Sequence, residues 1–241
     1  MTQATPAKAT KTVSSAARMR GFHDLLLAAY GPQHWWPAET PLAVILGAYL
    51  TQNTSWKAVE RSLAQLRAAG VETLAALRAT PLERLRELIA PSGFHTRKAP
   101  AILAFVALLD AEYGGRLESM AQAEPAALRA RLLELPGVGP ETADAILLYA
   151  LGHAVPVADE YLRRVVDRHG LLANASADKP KRIRYESMAE LTRQAFAGDA
   201  PGSHAALYNE FHALVVAVGK AHCGRTARCE GCPLAADLRR G

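Results

Sequence analysis

The segment Gly137-Val138-Gly139 and the downstream Asp159 together place an anion-binding turn near a carboxylate. The two glycines let the main chain turn tightly, so that the amide N–H groups of Gly137 to Gly139 can point outward at the start of the following helix. Such a corner binds anions, and phosphate is the first candidate. Asp159 follows an intervening apolar helix, eighteen positions after Glu141. The residues predict a phosphate held beside a carboxylate.

Two longer motifs identify a resemblance. These are Leu50-Thr51-Gln52-Asn53-Thr54-Ser55-Trp56-Lys57 and Gly137-Val138-Gly139-Pro140-Glu141-Thr142-Ala143-Asp144-Ala145-Ile146-Leu147-Leu148-Tyr149-Ala150. With Asp159 and the terminal cysteines they resemble the endonuclease III superfamily of helix-hairpin-helix DNA glycosylases, and most of all its 3-methyladenine branch. The similarity runs from about His34 to Leu234. It implies a base-excision-repair enzyme whose partner is double-stranded DNA containing damaged bases, and which acts as a monomer.

The resemblance also implies an all-α, helix-hairpin-helix glycosylase fold with its active site in a cleft between two domains. The expected divisions are a six-helix barrel at 40–153, ending in the hairpin, and a second helical domain built from 21–39 with 154–241. Residues 1–20, which are basic and free of acids, are expected to be a disordered tail or, as an alternative, an organelle transit peptide.

Asp159 matches the catalytic aspartate of the superfamily. Cleavage of an N-glycosidic bond builds positive charge on the deoxyribose, and a fixed carboxylate stabilises that charge and can orient or deprotonate the attacking water. The other interpretation is that Asp159 caps the helix that begins at Glu160. The two roles are compatible.

Glu141 occupies the position where bifunctional relatives place a lysine that attacks C1′ and nicks the strand. A carboxylate cannot form that imine, and the sequence has no lysine elsewhere in the hairpin or its helix. The enzyme is therefore expected to be monofunctional. Glu141 can also be simply an acid in the first turn of a helix. The alternatives are an endonuclease III-type glycosylase and lyase acting on oxidised pyrimidines, and a non-catalytic binder of damaged DNA. Asp159 argues against the binder, since a carboxylate beside a polyanion weakens binding.

Further DNA contacts are expected from the amide of Gln52, which in resembling enzymes fills the gap left by the extruded base. The DNA-contacting set is Gln52, Lys57, Gly137, Val138, Gly139, Glu141 and Thr142. Trp35, Trp36 and Trp56 are candidates either for stacking on an electron-poor alkylated purine or for plain core packing. His95 and Lys98 follow the turn Ser92-Gly93-Phe94, which the resemblance places near DNA. The basic run 179–184 is either a solvated loop or a DNA contact.

All three cysteines fall near the end of the chain, as Cys223, Cys229 and Cys232. Such clustering favours a metal or iron–sulfur site over disulfides. The resembling tail holds a [4Fe–4S] cluster with four cysteines, of which the last would fall at Leu238. A fourth ligand could come from Asp237, His222 or water; otherwise the cluster is incomplete or absent.

Composition supports helices and a polyanionic partner. Half of the residues are hydrophobic, alternating β-branched runs are scarce, and the net charge is +5. Periodicity predicts helices near 17–30, 41–53, 55–69, 71–77, 81–89, 95–113, 124–133, 140–152, 160–169, 185–197 and 203–220. No stretch approaches the ~20 apolar residues of a membrane span, and the N-terminus lacks a secretory core. We expect a cytoplasmic protein, associated with the nucleoid when it acts on DNA and without a membrane partner.

Overall fold

A computed structural model describes residues 13–35, 40–172 and 183–238. Trp36 and most of the basic run 179–184 lie outside these ranges, so neither prediction is addressed by the structure.

The described residues form thirteen α-helices and no β-strand; an isolated bridge joins Cys223 and Ala227. The all-α prediction is confirmed. The helices are α1 Ser15–Tyr30, α2 Pro41–Leu50, α3 Trp56–Ala68, α4 Leu74–Ala79, α5 Leu82–Leu88, α6 His95–Tyr113, α7 Leu117–Met120, α8 Pro125–Leu133, α9 Pro140–Ala145, α10 Glu160–Arg168, α11 Tyr185–Phe196, α12 His204–Ala221 and α13 Ala235–Leu238. A π-helical turn, Ile146–Ala150, continues α9, and 3₁₀ turns occupy Ala90–Ser92 and Pro201–Ser203.

Helix α2 lies at the centre of the first group of helices. Eight of its ten residues are buried, because it is apolar on every side, and Thr40 caps its start by accepting from Ala43 N. It packs against α3, α6, α9 and the π-helical turn. Tyr49 and Phe105 meet edge to face in this core, with ring centroids 6.3 Å apart.

The second group joins the two ends of the chain. Helix α1 packs against α11 and α12, and α10 packs against the same two helices. Gly219 permits the contact between α10 and α12, since a Cβ there would lie 2.2 Å from the Tyr161 ring. These packings support the division into 40–153 and 21–39 with 154–241, which we retain as a proposal.

The expected tail extends too far into the chain. Helix α1 begins at Ser15, so residues 15–20 are helical rather than disordered, while 1–12 lie outside the described residues. Ser14 caps the helix by accepting from Ala17 N, and Met19 is fully buried. Arg18 and Arg20, which suggested a basic tail, are instead paired with Asp237 and Asp199.

Periodicity does not predict the short helices α7 and α13, whereas the helix predicted near 140–152 is present as α9 and the π-helical turn that continues it. No helix in the part of the chain that the structure describes is long and apolar enough to cross a bilayer.

Candidate active site

Asp159 stands at the entrance to α10, with its two carboxylate oxygens in different environments. Oδ1 accepts a hydrogen bond from the amide of Leu162 at 2.8 Å, so Asp159 is the N-cap of α10. Oδ2 lies 3.6 Å from His212 Nε2, and the Asp159 side chain is only 12% exposed. Capping thus fixes one oxygen and leaves the other available for chemistry.

Beside Asp159 lies an aromatic cluster of Trp35, Tyr149 and His212. The Tyr149 hydroxyl contacts His212 Nδ1. The Trp35 ring centroid is 5.2 Å from that of His212 and 6.1 Å from that of Tyr149. These residues come from the segment after α1, the π-helical turn and α12. Of the three tryptophans predicted for a base pocket, Trp35 packs against His212, the residue that faces the carboxylate.

The pKa of Tyr149 lies well above its ordinary value, first because the phenol is buried and second because the charge of Asp159 opposes ionisation. The phenol therefore stays protonated at neutral pH. Tyr149 belongs to the second quoted motif but has no predicted role there, and His212 lies in an apolar helical stretch outside both motifs.

The start of α9 and Asp159 line one cavity of about 440 Å³. Glu141 lies at its rim, exposed in the first turn of α9, and the lining holds Arg163 and Arg184 together with the carboxylates of Glu160 and Glu186. Because the cavity joins the hairpin helix to the carboxylate, the structure brings together the two features that the sequence places side by side. An anionic backbone near the hairpin would pass close to Asp159.

Within the hairpin, Gly137 adopts a φ of +75°, a conformation that glycine enters without a Cβ penalty. The Val138 side chain is buried, and its amide donates to Leu135 O at 3.2 Å. That amide is thus used inside the turn and does not point outward as predicted. The amide N–H groups that remain for binding an anion are those of Gly137, Gly139 and the first turn of α9.

Gln52 is tied to the hairpin. Its amide nitrogen donates to Gly137 O and to Thr142 Oγ1, both at 2.9 Å. Thr142 is buried and serves here as an acceptor. Both amide protons of Gln52 are thus used within the protein, which leaves its carbonyl oxygen for DNA.

A second turn beside Gln52 is held by a buried lysine. Lys98 Nζ donates to Leu50 O at 2.8 Å, just before the Gln52 turn, and to Ser92 O at 2.9 Å, just before Phe94. Burial lowers the pKa of Lys98. Phe94 is 56% exposed and has a φ of +49°. An exposed large aromatic residue held in this conformation is uncommon, and the sequence analysis did not single it out.

The remaining predicted site residues lie on α3. Trp56, its first residue, packs partly against the hydrophobic core, and Lys57 is exposed. His95 begins α6 directly after Phe94.

The tail carries three free thiols, of which that of Cys223 is buried, that of Cys229 exposed and that of Cys232 half-buried. Burial raises the pKa of Cys232, and the charges of Cys223 and Cys229 raise it further. Leu238 stands where a fourth thiolate is expected. Asp237 is hydrogen-bonded to Arg18 and His169, and His222 Nδ1 contacts Arg228 O.

Arg168 holds the start of this tail by donating to Cys223 Sγ at 2.9 Å and to the carbonyls of Gly224 and Arg225. Over the described ranges, no group of three or more His, Cys, Asp or Glu side chains is arranged to hold a metal ion. The residues present therefore do not fit a complete [4Fe–4S] site.

Comparison with known proteins agrees with this geometry. Residues 46–193 match the model of the HhH-GPD superfamily of base excision DNA repair proteins. The chain is 37% identical over 214 residues to a protein of Methanocaldococcus jannaschii named as a DNA repair glycosylase, covering 88% of this chain and 91% of that one.

Two solved structures are similar in fold. The 3-methyladenine DNA glycosylase of Helicobacter pylori bound to 1,N6-ethenoadenine superposes with a TM-score of 0.72 at 26% identity, covering 87% of this chain and 98% of that one. A trapped endonuclease III–DNA covalent intermediate superposes with a TM-score of 0.71 at 20% identity, covering 95% and 99%.

Proposed function

The chain belongs to the HhH-GPD superfamily of base excision DNA repair glycosylases, and from that premise we propose that it hydrolyses the N-glycosidic bond of a flipped, alkylated purine and leaves the strand uncut. The observation that carries the proposal is the Asp159 carboxylate, with one oxygen fixed by the Leu162 amide and the other beside the aromatic cluster. A carboxylate held this way stabilises the positive charge that develops on the deoxyribose and orients water toward C1′.

The cavity lined by the start of α9 and Asp159 supports hydrolysis rather than covalent catalysis. Glu141 lies at its rim, where a lysine would be needed to attack C1′. Lys98, which follows the Phe94 turn, is not available as that nucleophile. It is buried, and its ammonium group donates to two main-chain carbonyls. Water is therefore the proposed nucleophile, and the product is an abasic site.

Trp35 and Tyr149 support the choice of alkylated purines. Alkylation leaves a purine poor in electrons, and an aromatic face attracts such a ring more strongly than it attracts an ordinary base. The similarity to a 3-methyladenine glycosylase bound to an ethenoadenine points to the same class.

DNA would be held by the hairpin and probed by the two turns that Lys98 joins. We assign phosphate contact to the amides of Gly137 and Gly139 and the first turn of α9, and to the exposed Lys57. Gln52, through its carbonyl oxygen, and the exposed Phe94 would enter the duplex where the base leaves the stack. We retain monomeric action on nucleoid DNA in the cytoplasm as part of this proposal.

The test is base release from a panel of duplexes, each with one lesion: 3-methyladenine, 7-methylguanine, 1,N6-ethenoadenine, thymine glycol and an undamaged control. We expect release of alkylated purines, strand breaks only after alkali or heat, and no borohydride-trapped adduct. Release of thymine glycol together with a trapped adduct would favour the runner-up, a glycosylase and lyase on oxidised pyrimidines. Binding without release of any base would favour a damaged-DNA binder.

A further inference from the structure

We propose that His212 is a positioning residue that, together with Tyr149, orients the free oxygen of Asp159. The inference rests on the proposed role of Asp159 and adds two residues that act through it. Its basis is a chain of contacts from the Tyr149 hydroxyl through both ring nitrogens of His212 to Asp159 Oδ2.

The Asp159 carboxylate and the Tyr149 hydroxyl together favour one tautomer of His212. A protonated phenol can donate or accept, but the anionic Oδ2 beside Nε2 favours a proton on Nε2, which leaves Nδ1 to accept from the Tyr149 hydroxyl. A neutral imidazole with Nδ1 as acceptor carries its proton on Nε2. The Nε2–H group is therefore the one that faces Asp159 Oδ2, at 3.6 Å.

Burial makes this arrangement specific. The His212 side chain is 7% exposed, and within the described part of the chain its Nε2 atom has no hydrogen-bond partner. A buried donor without an acceptor is unfavourable, so such groups are rare unless they meet something during function. A shift of well under 1 Å brings Nε2–H within hydrogen-bonding distance of Oδ2, while Trp35 packs against the imidazole and limits its movement.

The two donors then act on the two oxygens of one carboxylate. The Leu162 amide holds Oδ1, and His212 Nε2–H holds Oδ2, which fixes the carboxylate plane relative to the bound sugar. The role requires no proton transfer to or from His212. It also gives a purpose to the π-helical turn, which carries Tyr149 and interrupts the regular continuation of α9, as such turns often do at functional sites.

The test compares His212→Leu, His212→Gln and Tyr149→Phe in single-turnover assays with excess enzyme, on the lesion that the wild type excises fastest. Removing a group that orients a catalytic ligand is expected to slow base release roughly 10- to 100-fold in His212→Leu, by analogy with residues that orient metal ligands. His212→Gln should recover much of the rate, since its amide can donate to Asp159. Affinity for duplex containing a tetrahydrofuran abasic analogue should stay unchanged in all three, which also shows that they fold.

Adding His212→Leu to Asp159→Asn should cause little further loss, because residues that act as a unit are not additive. If Asp159→Asn abolishes release but His212→Leu retains the wild-type rate, or if His212→Gln is as slow as His212→Leu, the positioning role is wrong and the proposed function stands. Retained release in Asp159→Asn would overturn both.

A second measurement does not depend on activity. In ¹⁵N spectra of the free protein, His212 should show a protonated Nε2 and an unprotonated Nδ1, and Tyr149→Phe should weaken that preference. A wild-type His212 protonated on Nδ1 would overturn the inference even if no lesion in the panel were excised.

Discussion

At the scale of single residues, Asp159 shows how one side chain serves stability and chemistry together. Its Oδ1 completes the N-terminus of α10, and the same bond leaves Oδ2 facing His212. Asparagine caps a helix about as well as aspartate does, but it carries no charge. The two roles can therefore be separated by substitution.

We expect Asp159→Asn to melt near the wild-type temperature while base release falls by about 10²- to 10⁴-fold, the usual worth of a positioned catalytic group. DNA binding should be unchanged or tighter, since a charge that repels phosphates is removed. Asp159→Ala is the matched control. It should lose release equally and also about 1 kcal/mol of stability, because the cap is gone. Near-wild-type release by Asp159→Asn, measured with single turnover, would remove Asp159 from the mechanism.

At the scale of elements, the separation between Asp159 and His212 depends on how closely α10 approaches α12. Gly219 on α12 lies directly against Tyr161 on α10, leaving no room for a Cβ. Because the two helices are closely packed here, even one added methyl group on α12 should shift α10 as a whole.

Gly219→Ala should therefore push α10 away from α12 and destabilise the protein by roughly 1–3 kcal/mol, the usual cost of overpacking. Base release should fall as well, because Asp159 would be displaced from His212. Gly202→Ala is the control, since a Cβ there meets nothing within 4 Å. Adding Tyr161→Ala to Gly219→Ala should relieve only part of the clash, since it removes the ring atoms at 2.2 and 2.5 Å but leaves the Cβ of residue 161 at 2.8 Å. Thermal melting and single-turnover rates check both effects, and a wild-type melting temperature for Gly219→Ala would contradict the prediction.

The sequence predicts the helices better than it predicts the contacts between residues that are distant in the chain. Apolar periodicity and caps locate the long helices such as α6 and α12 because those signals are local. The start of α1 lies close to the predicted residue 17, but the tail is predicted to extend too far, because Arg18 and Arg20 are explained only by Asp237 and Asp199, far along the chain. For the same reason Tyr149 and His212 cannot be paired from spacing, whereas the hairpin and Asp159 form a short motif and can be recognised.

At the scale of the whole molecule, one charged group ties the two ends of the chain. Arg18 Nε on α1 donates to Asp237 on α13 at 3.0 Å, and His169 after α10 contacts the same carboxylate at 2.8 Å. Burial alone would raise the pKa of Asp237, but the hydrogen bonds from Arg18 and His169 outweigh it and hold the pKa below its ordinary value of 3.8.

Since the folded protein favours the ionised form, Asp237 stabilises it above pH 3.8, and that stabilisation is lost as pH falls through the lowered pKa. Asp237→Asn should thus lower the melting temperature at pH 7, and the difference from wild type should shrink below pH 3.8. Asp110→Asn, which breaks the exposed pair with Arg78, should change the melting temperature little. Equal effects of the two substitutions at pH 7 would contradict this assignment.

The incomplete thiol set at the tail gives a prediction about iron. If position 238 is the missing ligand position, Leu238→Cys should raise the iron and sulfide bound per chain after anaerobic purification, and it should slow their loss in air. Leu238→Ser is the control for the change in packing. An iron-free Leu238→Cys protein would show that the Arg168-held tail does not form a cluster site.

Lys98 has a consequence for how the protein finds its target. By donating to both Leu50 O and Ser92 O, its ammonium group links the Gln52 and Phe94 turns. Side chains already held in place lose little conformational entropy each time they test a base step. A repair protein samples very many sound steps for each damaged one, so a small saving repeated at every step adds up along the whole path. If Gln52 and Phe94 probe the duplex as proposed, the Lys98 link should speed the search as well as strengthen the final complex.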